Sequence, residues 1–123
     1  MSLRLKKDSL GPTLDRQLLW IRAHLDIKLS DLYDFVVLLV SEYNWQIVDL
    51  REIVMDIQEP MLSNQTHIIL SQREAMNEIK VFNHSPNADT FCIHLPGDSF
   101  SKIARSVEEA CGILLRKGFL IKA

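Results

Sequence analysis

Residues 19 to 29 alternate without a break. Leu19, Ile21, Ala23, Leu25, Ile27 and Leu29 fall on one side, and Trp20, Arg22, His24, Asp26 and Lys28 lie between them. A period of two predicts a strand with one face in a core. A helix over the same residues would bring Arg22 and Asp26 round to the side of Leu18 and Leu29.

A helix is expected immediately afterwards. Ser30 suits an N-cap, Asp31 and Asp34 suit the first turn, and Leu32, Phe35, Val36, Leu39, Val40 and Tyr43 follow three-and-four spacing. Asn44 is placed to end it in a left-handed conformation. Residues 45 to 57 read two ways. Ile47, Leu50, Val54 and Ile57 have helical spacing, with Asp49 to Glu52 as a capping box. The β-branched content and the helix stop just before them favour a strand, which is the expectation taken here.

Three short strands follow, over Thr66–Gln72, Glu78–Asn83 and Thr90–Leu95. With Phe82 opposite Cys92, Ile79, Val81, Phe91, Ile93 and Leu95 share a core face, while Lys80, Phe82, Cys92 and His94 share the other. Pro96-Gly97 breaks the chain. A last helix is expected from an Asp98 or Ser99 cap to about Lys117, with Phe100, Ile103, Ala104, Val107, Cys111 and Leu114 as its stripe. Gly118 ends it, and Phe119–Ile121 reads as a terminal strand. The expected order is β-α-β-β-β-β-α-β. Without one hairpin this is the ferredoxin-like α+β plan, an antiparallel sheet with two helices on one face.

At 123 residues the chain makes one domain, able to bury a core without disulfides or metals. Residues 1–14 read as an N-terminal tail and 15–123 as the domain. The formal net charge of −2 weighs against a nucleic-acid protein, which usually carries a basic excess. Cys92 and Cys111 sit in apolar contexts and read as buried free thiols, which fits a cytoplasmic location. The longest apolar run, Phe35 to Val40, is too short to span a membrane, and no apolar segment suggests a signal peptide.

The stretch from residue 18 to 57 resembles the first half of ACT-type regulatory domains. The resemblance is carried by a strand, a capped helix and then Trp45-Gln46-Ile47-Val48-Asp49-Leu50-Arg51, similar to the apolar-Asn-Ile-x-Asp run that opens that family's second strand. Gln46 stands where Asn is usual, and the loop Asp26-Ile27-Lys28-Leu29-Ser30 lacks the family's common glycine. The resemblance implies a regulatory or ligand-sensing module that works as a homodimer. It implies a small metabolite or amino acid as ligand, near the loop that leads into the helix. Lys28, Ser30 and Asp31 are the candidate ligand residues, since free N–H groups at a helix start can hold a carboxylate or phosphate.

Simpler readings account for the other candidate chemistry. His84, Cys92 and His94 flank one hairpin, but at about 3.3 Å per residue the two histidines are roughly 13 Å apart, too far to share an ion. No metal and no cofactor is expected. Gly97-Asp98-Ser99 looks like a nucleophile block, yet capping explains it, and a catalytic serine also needs a base and an oxyanion hole. Trp20, Arg22 and His24, with Phe82 and His94, offer an aromatic and basic sheet face. Base-stacking RRM domains use such a face, but no run here matches their motifs, and a dimer or partner contact accounts for it more simply. Trp20, Arg22, His24 and Phe82 are therefore the candidate interface. The expected function is non-enzymatic and regulatory, the alternative being a protein-interaction or structural module with no small ligand.

Overall fold

The computed structural model of the chain describes residues 13–24, 30–56, 62–72, 77–83 and 90–120. Within them the order is α1 (Leu14–His24), α2 (Ser30–Glu42), β1 (Trp45–Asp56), β2 (Leu62–Gln72), β3 (Asn77–Asn83), β4 (Phe91–His94), β5 (Lys102–Ala104) and α3 (Val107–Arg116). The protein is α+β, with a five-stranded antiparallel open sheet.

The first expected strand is a helix as far as His24, and its remainder, residues 25 to 29, lies outside the described residues. The physical reason lies upstream of the alternation. Residues 14–24 contain one β-branched side chain, Ile21, among good helix formers. Thr13 starts the helix, its carbonyl accepting from the Arg16 and Gln17 N–H groups and its hydroxyl from Arg16 N–H. Gln17, Trp20, Ile21 and His24 then form one helical face. Trp20 and Ile21 are buried, while Leu19 is 67% exposed. Gln17 Nε2 donates to the Ile47 carbonyl at 3.0 Å, which ties α1 to β1.

α2 runs as expected into Asn44, whose φ of 65° is the left-handed C′ conformation that Asn tolerates. Residues 45–56 are strand, which settles the ambiguity of that segment. The sheet is a simple meander, β1-β2-β3-β4-β5. Among the described residues the order is α-α-β-β-β-β-β-α, and this meander does not confirm the ferredoxin-like strand order with two helices on one face. In place of the expected βαβ opening, the described residues hold α1, α2 and β1, because the helical propensity of 14–24 outweighs a short alternation.

The expected last helix also starts later. Pro96-Gly97 makes a tight turn, with Gly97 at φ 84° and Asp98 N–H donating to the Leu95 carbonyl at 3.1 Å. The chain then returns as β5 beside β4, pairing Phe91 with Ala104 and Cys92 with Ile103. Phe100 and Ile103, expected in a buried stripe, are 82% and 49% exposed. Neither Asp98 nor Ser99 caps the helix. Ser106 does, its Oγ accepting from Glu109 N–H at 3.1 Å, while Glu109 Oε1 accepts from Arg105 N–H. Asp98 instead pairs with Lys117 at 3.3 Å. Gly118 has φ 75° and ends α3 as expected. Phe119 and Leu120 are not in a strand, and Ile121 lies outside the described residues.

One core joins the parts. Trp45, Ile47, Leu50, Ile68, Leu70, Ile79, Val81, Phe91, Ile93 and Ala104 on the sheet meet Trp20 and Ile21 of α1, Leu32, Phe35, Val36 and Leu39 of α2, and Ala110, Ile113 and Leu114 of α3. Phe35 and Phe91 rings lie 5.8 Å apart across this interface. Buried polar groups at the sheet end are paired, with Asn83 Oδ1 accepting from Thr66 N–H and Thr66 Oγ1 donating to the His24 carbonyl.

Candidate functional site on the outer sheet face

Alternation along the strands sends the residues between the core positions to the opposite side. The antiparallel register then lines them up in rows. One row runs Arg51, His67, Phe82, Cys92 and Ile103, and the next runs Asp49, Ile69, Lys80 and His94. The expected pairing of Phe82 with Cys92 is present, and it fixes Lys80 directly opposite His94.

In the first row the His67 ring stacks on Phe82, with centroids 4.6 Å apart and planes within 8°. Its Nε2 lies 3.0 Å from Gln65 Oε1, and a neutral ring with its proton on Nε2 donates there. Burial, then the charges of Lys80 and Arg51, push the His67 pKa down to about 4. Arg51 is held by Asp49 at 2.7 Å, and Asp49 also accepts from Leu50 N–H at the bulge where Val48 is the extra residue. Burial raises the thiol pKa of both Cys92 and Cys111, so both stay protonated and unreactive at neutral pH.

Ile69, Lys80 and His94 of the second row line a cleft of about 250 Å³ together with Glu78, Ile79 and Pro96. Ser101, in the turn before β5, places Oγ 3.4 Å from His94 Nδ1. Lys80 is half-buried and forms no ion pair among the described residues. Apolar Ile69 and Pro96 therefore meet the Lys80 ammonium, the Glu78 carboxylate and the His94 ring in one small concavity, a mix of apolar and polar groups that ligand sites share. Among the described residues no group of three His, Cys, Asp or Glu side chains is placed to hold a metal ion.

The residues singled out from sequence are dispersed. Lys28 lies outside the described residues, Ser30 is the first residue of α2, and Asp31 is a half-buried residue of its first turn. Trp20 and Phe82 do not share a face. Trp20 is 9% exposed in the core, because on a helix it turns inward with Ile21. His24 stacks on the Trp20 ring at 3.9 Å, and its Nδ1 lies 2.7 Å from the Trp20 carbonyl. Arg22 is exposed, with its guanidinium 5.1 Å from the centre of the Tyr33 ring, so it bridges α1 to α2. Of the expected surface cluster, Phe82 and His94 are on the outer sheet face. His84 lies outside the described residues, and Ser99 is an exposed residue of the turn before β5.

Lys80 and His94 were legible as sharing a face once the hairpin register was read. Ser101 carried no such signal, since it fell in an expected helix. No protein-family model matches this chain, and neither does any curated protein or solved structure. Among the described residues no helix is long and apolar enough to cross a membrane.

Proposed function

We propose that this chain is a non-enzymatic ligand-sensing domain whose ligand lies on the outer sheet face, against Lys80 and His94. The observation that carries this reading is the pairing of Lys80 with His94 across the β3–β4 hairpin in one cleft, with Lys80 half-buried and in no ion pair among the described residues. Glu78 lines the same cleft but forms no ion pair with Lys80 among the described residues, so an anionic group entering beside His94 can accept hydrogen bonds from the ammonium. The ACT-type comparison contributes a role, the sensing of a small metabolite, and not a site, since the helix start at Ser30 and Asp31 is not part of this cleft. A reducing, cytoplasmic compartment suits the two free thiols.

A thermal-unfolding scan against a panel of small metabolites tests the reading. A ligand at a hundred times its dissociation constant adds roughly 2.7 kcal/mol, worth on the order of 5 °C or more for a domain of this size. A shift with one chemical class that disappears in K80M supports the proposal. A flat screen across anionic, neutral and cationic compounds removes it.

The second reading is a protein-interaction module that meets a second copy of the chain through this same face. It is favoured by Phe100, at 82% exposed, and Ile103, at 49%, which lie in and beside the turn that carries Ser101. Sedimentation at micromolar concentration separates the two. A dimer that dissociates on Phe100→Ser with Ile103→Thr supports the interaction module, and a monomer at all concentrations excludes it.

A further inference from the structure

We infer that the cleft selects a small organic monocarboxylate with a compact apolar body, clamped at its head by Lys80 and His94. The inference rests on the ligand-sensing reading and adds the chemistry of what is sensed.

The head group follows from the donors. Lys80 and His94 are direct cross-strand partners, so their side chains leave the sheet side by side. Ser101 Oγ sits 3.4 Å from His94 Nδ1. When that hydroxyl donates to Nδ1, the ring carries its proton on Nε2 and presents Nε2–H as its free donor. An ammonium beside an imidazole N–H matches the two oxygens of a carboxylate.

Size and charge limits follow from the walls. Ile69 and Pro96 are apolar, while the Ile79 side chain lies in the core on the other face, so the body of the ligand meets hydrocarbon at Ile69 and Pro96. At about 250 Å³ the cleft is below the roughly 300–1,000 Å³ of sites for drug-sized molecules, which restricts it to a few-carbon body. Glu78 stands on the same strand face as Lys80, two residues away, and lines the cleft. Glu78 and Lys80 carry opposite charges in one cleft, so the site tolerates little added negative charge, and dicarboxylates and phosphate are disfavoured relative to a monocarboxylate.

The test is an amide chemical-shift titration of the intact chain with isovalerate, its neutral isostere isovaleramide, succinate and inorganic phosphate. Isovalerate is expected to move the Ile69, Lys80 and His94 resonances saturably, and the other three much less. K80M is expected to weaken isovalerate binding by about tenfold or more, the scale of a lost charge-assisted hydrogen bond, while K80R retains most of it. An unchanged spectrum outside the cleft shows that the variants fold. If isovaleramide binds as well as isovalerate, the carboxylate assignment falls while the site stands. If phosphate or succinate binds better, the monocarboxylate assignment falls. If the metabolite screen is also flat, the ligand-sensing reading itself fails.

Discussion

Protonating His67 should destabilise the fold, and the size of the effect can be worked from its surroundings. The ring is 8% exposed, stacked on Phe82, and faces Lys80 and Arg51 across the adjoining strands. Burial first, and then the two cations, lower its pKa from 6.5 to about 4. The folded form thus releases its proton more readily than the unfolded chain. Between about pH 6.5 and 4 the unfolded state binds more protons, so stability rises with pH in that window and falls as pH drops through it. Each pH unit is worth about 1.4 kcal/mol, which sets a ceiling of about 3 kcal/mol. Solvent screening of the partly exposed cations brings the expected loss to about 2 kcal/mol. Urea unfolding of the wild type and His67→Gln at several pH values measures it. Carboxylates that titrate in the same range are common to both proteins and cancel in the difference. The wild type should lose about 2 kcal/mol more than the variant between pH 7 and 4. A direct NMR titration should place His67 near 4, and Lys80→Met should move it upward. A His67 titration near 6.5, or parallel stability curves for the two proteins, would refute the reasoning.

Helical and strand readings of residues 19–24 separate by paired substitutions. Leu19→Lys should change stability by less than about 0.5 kcal/mol, whereas Ile21→Ala should cost about 2–5 kcal/mol by opening the core. On a strand both residues would face the core and both changes would be severe, so equal losses in chemical denaturation would overturn α1. Ser106→Ala should cost about 1 kcal/mol through loss of the N-cap, with no change for Ser99→Ala. The reverse order would restore the longer helix starting at Ser99.

Local signals sufficed where they agreed with one another. α2 is an example: its stripe, its start and the left-handed stop at Asn44 all point to one helix. The β3–β4 hairpin is another, because its alternation on both strands admits one register that buries Ile79, Val81, Phe91 and Ile93 together. The signals failed where two periods overlapped. In residues 19–24 the apolar positions fit a strand, but Gln17, Trp20, Ile21 and His24 also fit a helix face, and Thr13 was the start signal that could have decided it. At the C-terminal end, Ser106-x-x-Glu109 was a capping signal in plain view, seven residues beyond Ser99, where a helix was expected to start.

Composition and periodicity by themselves determined that the chain is α+β, which residues of the middle strands face a core, and that two thiols stay free. They could not place the site. Lys80 and His94 are separated by a hairpin, and Ser101 reaches His94 because the chain turns back after Gly97 to form β5. Local propensity makes residues 14–24 a helix, and packing against the sheet then decides that its Trp20 and Ile21 face turns inward. Periodicity records which residues share a face, while the choice of neighbouring face depends on long-range pairing that no single stretch contains.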